Sequence, residues 1–175
     1  RDGFKATDFH KKCDNVKDTL VVVRSNYKKI FGGFNDKTWN HENSYKHTTT
    51  SWLYSLDHKE KYAVKANNNN GKQYAVYGYS SYGPTFGGGH DLYIADNCNS
   101  NNSSYSNFNY SYEAKSGESN GNYQSALAGA YNFTVEEIEV FHVDAKGGVD
   151  EMFDSKTVKP DEVKTLKNWI GNGKN

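Results

Sequence analysis

The stretch TLVVVRSNYKKIFGGF, which runs from Thr19 to Phe34, carries the clearest structural pattern in the chain. Its first part, Thr19 to Arg24, is rich in β-branched residues, which favour a pleated strand. The polar segment Ser25 to Lys28 is prone to form a turn, and apolar residues resume from Lys29 to Phe34. The stretch therefore predicts a β-hairpin, and with it a fold that contains antiparallel strands.

Shorter segments beyond this hairpin have the same character. Ser51 to Leu56 alternates large apolar residues with small polar ones, as a half-buried strand does. Further strands are predicted at Tyr62 to Val64, Gln73 to Tyr77 and Asp91 to Ala95. The turn-prone segment Asn67 to Gly71 and the glycine-rich loop Gly83 to Gly89 separate these strands. The polar segment Asn97 to Asn109 follows the last of them, and we expect it to be exposed.

The segment Asn132 to Val143 alternates apolar and polar residues over its whole length. One step in that alternation, between Val135 and Ile138, predicts either a β-bulge or two separate strands. Several short strands separated by turn signals are typical of an antiparallel sandwich with few helices. The sequence therefore predicts a mostly β protein of the α+β class.

Two helices are predicted, one near each end of the chain. The first is short, begins with a cap at Thr7 or Asp8 and ends at Cys13. The second opens at Pro160, with carboxylates in its first turn, and stops at Gly171. Its apolar stripe requires a partner surface and consists of Val163, Leu166 and Ile170, backed by Trp169.

Composition narrows the function classes. The 175 residues contain 21 Lys plus Arg and 21 Asp plus Glu, so the formal net charge is zero. The chain has no Lys/Arg block of the kind that non-specific nucleic-acid binding requires, so we expect no nucleic-acid partner. No run approaches the roughly 18 apolar residues of a membrane span, so we expect no membrane insertion. Aromatic residues make up 15% of the chain, which favours sheets over helices.

The chain shows no recognisable catalytic constellation. The run Gly87-Gly88-Gly89-His90 lacks the Lys-Ser/Thr pair and the following helix of a phosphate-binding loop. His10 and Cys13 share a helix face and could chelate a metal, with the site completed by His90, Asp91, Asp96 or Cys98. A core cysteine and an exposed histidine are the simpler interpretation. Glu137 could act as an acid if it were buried, although solvated strand carboxylates are commoner. We therefore assign no catalytic residue, metal or cofactor.

Five blocks of sequence resemble the TLDc domain family. The central block is GPTFGGGHDLYIADNC, from Gly83 to Cys98. The others, in the family's order, are RDGFKATDFHKKCD from Arg1, TLVVVRS with IFGGFNDKTW from Thr19, SWLYSL from Ser51 and ALAGAYNFTVEEIEVFHV from Ala126. The resemblance covers Arg1 to about Val143.

This resemblance implies a two-sheet antiparallel β-sandwich with a few flanking helices, placed at residues 1–150. It implies a non-enzymatic protein-interaction module, linked to oxidative-stress resistance and to binding of the vacuolar proton ATPase, in an intracellular location. It supplies no active site, because no catalytic mechanism is established for the family. The family's glycines match positions that we expect to serve folding or partner contacts: Gly32, Gly33, Gly83, Gly87, Gly88 and Gly89.

The C-terminal part departs from the family's usual order. TLDc domains usually begin with a helical segment and a strand before the RDG block, whereas residues 151–175 look like that helical segment placed at the other end. An alternative function follows, in which the chain is a structural subunit of a tandem array or filament. Copies would then exchange terminal elements, with Val163, Leu166, Trp169 and Ile170 at the contact. A filament would point to an extracellular location.

For the interaction module, tyrosines near the central block are the candidate anchors, because tyrosine is favoured at protein interfaces. The expected partner-binding residues are Tyr79, Tyr82, Phe86, His90 and Tyr105. A third hypothesis is a redox protein or enzyme that uses the thiol of Cys13 or Cys98.

Overall fold

A computed structural model of the chain describes residues 2–66, 70–118, 122–144, 148 and 154–171. Within these residues, two α-helices flank eleven strands. The helices are α1 (Ala6–Cys13) and α2 (Pro160–Gly171). The strands are β1 (Thr19–Ser25), β2 (Ile30–Asn35), β3 (Ser44–Lys46), β4 (Trp52–Ser55), β5 (Glu60–Ala63), β6 (Val76–Gly78), β7 (Thr85–Phe86), β8 (Leu92–Tyr93), β9 (Ser104–Tyr105), β10 (Asn132–Phe133) and β11 (Val135–His142).

The strands form two antiparallel sheets, as expected for a sandwich. A five-stranded sheet has the order β11-β1-β2-β4-β5, and a six-stranded sheet has the order β10-β9-β8-β7-β6-β3. The predicted hairpin is confirmed, with Thr19 opposite Asn35 and Arg24 opposite Ile30. The fold is therefore the mostly β, two-sheet sandwich that the sequence and the resemblance predict.

Both alternatives for the segment Asn132 to Val143 occur together. The chain divides into β10 and β11, which belong to different sheets. Within β11 the register also shifts, because Arg24 faces Glu137 while Ser25 faces Val135, so Glu136 forms a bulge. The bulge brings the Glu136 carboxylate to Lys28 and Arg24, which hold the pKa of this carboxyl below its usual range.

The main core fills the space between the two sheets. Val21, Val23 and Phe31 from the five-stranded sheet meet Val76 and the ring of Phe86 from the six-stranded sheet. A second apolar cluster lies on the outer side of the five-stranded sheet. It contains Leu20, Val22, Phe34, Trp52 and Tyr54, and it is covered by Val163, Leu166 and Ile170 of α2. Strand β1 is thus buried on both faces, which explains its unbroken apolar run.

Helix α2 has the predicted bounds, but its apolar stripe packs against its own chain. Val163, Leu166 and Ile170 are each at most 3% exposed. The ring of Trp169 lies against Trp52 and Tyr54, with centroids 6.3 and 6.2 Å apart. The Lys61 ammonium donates to the carbonyl oxygen of Trp169 at 3.1 Å and ties β5 to the end of the helix.

Several local predictions are corrected. Helix α1 begins two residues before Asp8, which lies in its first turn and accepts the backbone N–H of Lys5 at 3.2 Å. The segment Gly83 to Gly89 contains β7, and Asn97 to Asn109 contains β9 with the buried residues Ser104, Ser106 and Phe108. The first three residues of the predicted turn, 67–69, and the expected domain boundary at residue 150 lie outside the described residues.

The matched glycines lie where the chain packs closely. A Cβ atom at Gly33 would lie 2.8 Å from Cδ2 of Leu53 and 2.8 Å from Cζ of Phe86. Gly87 has a φ of +90°, and a Cβ atom there would lie 2.0 Å from Oδ1 of Asp91. The nearest atoms would lie 1.9 to 3.0 Å away at Gly32, Gly83, Gly88 and Gly89.

Candidate interaction surface

The outer side of the six-stranded sheet carries a continuous set of aromatic rings, which we call the tyrosine face. Strand register creates it, since Tyr45 pairs with Tyr77 and Tyr93 pairs with Tyr105 across neighbouring strands. Residues paired in this way project from the same side of a sheet. The face comprises Tyr45, Tyr77, Tyr79, Tyr82, His90, Tyr93, Tyr105 and Tyr131.

The rings touch one another from one edge of the sheet to the other. Tyr82 lies near the centre, with its ring 4.8 Å from that of Tyr79 and 4.6 Å from that of Tyr93. Tyr93 is 5.0 Å from Tyr105, which stacks on Tyr131 at 5.4 Å. Aromatic pairs at these separations stabilise each other, so the surface is ordered before any partner arrives.

The face is partly accessible to solvent. Tyr45 and Tyr131, near opposite ends of the face, are 36% and 40% exposed, and the more central rings are half-buried by their neighbours. Two of the hydroxyl groups are held in place: Tyr45 donates to the carbonyl oxygen of Gly88 at 2.9 Å, and the Tyr105 hydroxyl lies 2.9 Å from Nδ1 of His90. Ordered rings with polar tips are well suited to a protein interface.

The face is uncharged near neutral pH. Burial lowers the pKa of His90 from its ordinary value, so its imidazole is mainly neutral. Burial, aided by neighbouring tyrosines, raises the pKa of Tyr105 to about 12, so its hydroxyl keeps its proton. The surface is therefore suited to bind a partner through apolar contacts and hydrogen bonds, and not through attraction between net charges.

Four of the five expected anchors come together on this face: Tyr79, Tyr82, His90 and Tyr105. The expectation that Phe86 contacts a partner is wrong for a simple geometric reason. Phe86 pairs with Val76 and Leu92, and the three share the inner side of the sheet. The Phe86 ring is fully buried and lies 5.3 Å from that of Trp39.

Four members of the face are not evident from the sequence alone: Tyr45, Tyr77, Tyr93 and Tyr131. Tyr45 and Tyr93 lie in strands of three and two residues, which are too short to show an alternating pattern. The available signal was the high tyrosine content of the chain, 14 residues in 175. Only strand register shows which of these tyrosines share a side.

A cavity of about 370 Å³ lies between α1 and the inner sides of both sheets. Its lining includes Phe9, Ile138, Val140 and both cysteines. Cys13 and Cys98 are free and buried, and burial raises their pKa values to about 11 and about 12. The two thiols therefore stay protonated near neutral pH, a state with little nucleophilic reactivity.

Asp91 organises the loop that borders the tyrosine face. Its carboxylate is fully buried. It accepts backbone N–H groups from Tyr110, Ser111 and Tyr112 at 2.8 to 3.1 Å. Burial is the dominant influence and raises the pKa of Asp91 to about 7, although the three backbone donors act in the opposite direction. Asp91 is a structural carboxylate enclosed by backbone, so we assign it no catalytic role.

The fold and this surface define a β-sandwich protein with an ordered aromatic surface on one side. A family model described as the TLDc domain matches residues 1–144. The chain belongs to the TLDc domain family, and its coarse functional class is that of a protein-interaction module related to oxidative stress. No curated protein matches the chain. None of the described helices is both long and apolar enough to cross a membrane.

Proposed function

We propose that the chain is a non-enzymatic interaction module that binds the vacuolar proton ATPase through its tyrosine face. The observation that carries this proposal is the unbroken set of ring contacts from Tyr45 to Tyr131 on a side of the sheet that remains partly exposed. Contiguous exposed apolar surfaces of this kind mark interaction sites in soluble proteins. The choice of partner comes from membership of the TLDc family.

Packing on the opposite side of the molecule supports the choice of this face. The outer side of the five-stranded sheet is already covered by α2, whose stripe is buried in the chain's own second apolar cluster. The two outer sheet surfaces therefore differ, and the tyrosine face is the one still accessible. This arrangement favours a heterologous partner over the alternative function, in which α2 joins neighbouring copies.

A link to oxidative-stress resistance would act through the partner. Both thiols are buried, and the pKa of each is well above neutral pH. Direct thiol chemistry needs a thiolate, which burial disfavours. We therefore assign the stress-related role to regulation of the bound ATPase, with Cys13 and Cys98 as core residues.

The test measures binding of the purified chain to the soluble sector of the vacuolar proton ATPase by biolayer interferometry. Tyr82→Ala and Tyr105→Ala should each weaken binding about tenfold, as expected for central tyrosines of an interface. Tyr27→Ala is the matched control, since Tyr27 is 47% exposed in the β1–β2 turn and lies outside the face. It should bind as the wild type does.

Thermal melting of each variant separates binding from folding. Phe86→Ala should lower the free energy of unfolding by about 3–5 kcal/mol, because it empties a fully buried ring site. Tyr82→Ala should melt closer to the wild type. If the wild-type chain does not bind the ATPase, the partner assignment is wrong. If it binds but Tyr82→Ala and Tyr105→Ala have no effect, the surface assignment is wrong.

A further inference from the structure

Two histidines and an aspartate meet at the C-terminal end of α1. Nδ1 of His10 lies 2.7 Å from one carboxylate oxygen of Asp14, and Nδ1 of His41 lies 3.0 Å from the other. One ligand atom from each of the three residues falls within 4.8 Å of the others. His10 and Asp14 are half-buried, whereas the His41 side chain is 59% exposed.

The surroundings of His10 determine which ring nitrogen can act as a ligand. Its Nε2 lies 2.9 Å from the carbonyl oxygen of Tyr79 and 3.0 Å from that of Tyr82. Carbonyl oxygens only accept hydrogen bonds, so Nε2 must carry a proton. Nδ1, which faces the Asp14 carboxylate at 2.7 Å, is then the ring nitrogen that remains to bind a metal ion.

This arrangement matches the outer shell of protein metal sites. A histidine that binds a metal through one ring nitrogen usually donates its other N–H to a backbone carbonyl or a carboxylate. That bond selects the tautomer and orients the ring. For His10, two backbone carbonyls fulfil this role at once, and they come from a loop more than sixty residues away in sequence.

The third residue, His41, is on a loop that is fixed against α1. Asn15 and Asn40 make two reciprocal hydrogen bonds of 2.8 and 3.0 Å, which join the end of the helix to this loop. The preceding residue, Trp39, is anchored in the core, where its Nε1 donates to Thr19 at 2.8 Å. The fold therefore sets the backbone positions of all three residues, and His41 has the most exposed side chain of the three.

We propose that His10, Asp14 and His41 bind one divalent transition-metal ion, for which Zn²⁺ is the best match. Two imidazole nitrogens and one carboxylate oxygen suit Zn²⁺, whereas Mg²⁺ and Ca²⁺ prefer oxygen ligands alone. Metal bonds of about 2.1 Å require ligand atoms no more than about 4.2 Å apart, and the three ligand atoms already lie within 4.8 Å of one another. Water would complete the coordination.

Binding has a simple proton balance and a structural consequence. The ion binds the lone pair of Nδ1 of His10, and any proton held there is released to solvent. It also fixes the ring whose Nε2–H holds the backbone of Tyr79 and Tyr82. A metal at this position would therefore stiffen the part of the tyrosine face around Tyr79 and Tyr82, while the site itself does not depend on what that face binds.

The test is calorimetric titration of ZnCl₂ into the metal-free chain, with native mass spectrometry to count bound ions. One ion per chain is expected. His41→Gln removes an exposed ligand and should weaken zinc binding by at least about 10–100-fold. Loss of a residue that only orients a metal ligand already has an effect of that size. His47→Gln is the matched control, because His47 is an exposed histidine outside the cluster.

Melting curves of the metal-free proteins should show that His41→Gln and His47→Gln fold as the wild type does. Asp14→Asn gives a second ligand variant and should also weaken Zn²⁺ binding. The proposal is overturned if the wild-type chain takes up no zinc, or if His41→Gln and His47→Gln bind it as tightly as the wild type. Neither result depends on the vacuolar ATPase, so this test is independent of the proposed function.

Discussion

Asp91 shows how a single buried carboxylate can position a loop. Its two oxygens accept hydrogen bonds from three successive backbone N–H groups, those of Tyr110, Ser111 and Tyr112. Gly87 packs against the same carboxylate, and any side chain there would collide with it. Because Asp91 is adjacent to His90, this arrangement also positions one member of the tyrosine face. Burial of the charged form is nevertheless unfavourable.

This balance predicts a pH dependence of stability. The pKa of Asp91 is about 7 in the folded chain, against 3.8 for an ordinary aspartate. Between these values the folded state holds a proton that the unfolded state has released, so the free energy of unfolding should fall as pH rises from about 4 to about 7. Asp91→Asn has no carboxyl group at this position to titrate, so its free energy of unfolding should vary less with pH between about 4 and about 7. The measurement is urea denaturation of both proteins across that range.

Both proteins contain the same other carboxyl groups, so the difference between their pH profiles gives the contribution of Asp91 alone. If the free energy of unfolding falls more steeply with pH in the wild type than in Asp91→Asn, burial is the main influence on the pKa of Asp91. If the wild type instead gains stability over Asp91→Asn as pH rises, the three backbone N–H bonds outweigh burial, and the carboxylate is ionised in the folded chain.

At the scale of elements, α2 behaves as part of the sandwich. Its three stripe residues fill the outer side of the five-stranded sheet, next to Leu20 and Val22 of β1. A strand with apolar residues on both sides needs a cover on each, and α2 supplies the outer one. The helix is therefore a structural layer, although it lies beyond the 144 residues that match the TLDc family model.

Leu166 tests this role, because it is fully buried beneath the helix. Leu166→Ala should lower the free energy of unfolding by about 2–5 kcal/mol, since it leaves a cavity between α2 and the sheet. Lys164→Ala is the matched control on the exposed side of the same helix and should change it by no more than about 0.5 kcal/mol. Equal stability of the two variants would show that α2 does not rest on the sheet in solution.

Elements with strong local signals were predictable from the sequence. The β1–β2 hairpin follows from a β-branched run and a polar turn, and the bounds of α2 follow from Pro160 and Gly171. Strands β3, β7 and β9 were missed because two or three residues cannot display a period. Phe86 was misplaced for the same reason, since a two-residue strand in a glycine-rich loop does not show which side is inner.

Non-local groupings were the least predictable part. The tyrosine face joins residues from β3 to the start of β10, and only strand register makes them neighbours. The metal-binding trio is a similar case. The sequence groups His10 with Cys13 on one helix face, whereas the structure joins it to Asp14 and, 27 residues further on, to His41. The path of the chain between Asp14 and His41 determines how close their side chains come, and no local sequence pattern predicts that distance.

At the scale of the whole molecule, the two outer surfaces of the sandwich are unlike. A helix covers the five-stranded sheet, and aromatic rings cover the six-stranded sheet. The formal net charge of zero provides little repulsion between copies. The state of association therefore depends on whether α2 stays on its own sheet and on whether the tyrosine face prefers a second copy or a different protein.

We expect size-exclusion chromatography with light scattering to show the mass of one chain at all concentrations, because the apolar stripe of α2 is buried within the chain. Exchange of α2 between copies would require Leu166 to leave its site and would expose Leu20 and Trp52 beneath it. Rings or filaments in electron micrographs would show that this exchange occurs and would favour the structural-subunit hypothesis. A dimer that Tyr105→Ala abolishes would instead show that the tyrosine face binds a second copy. A monomer that binds the ATPase through Tyr82 and Tyr105 is the outcome that the proposed function requires.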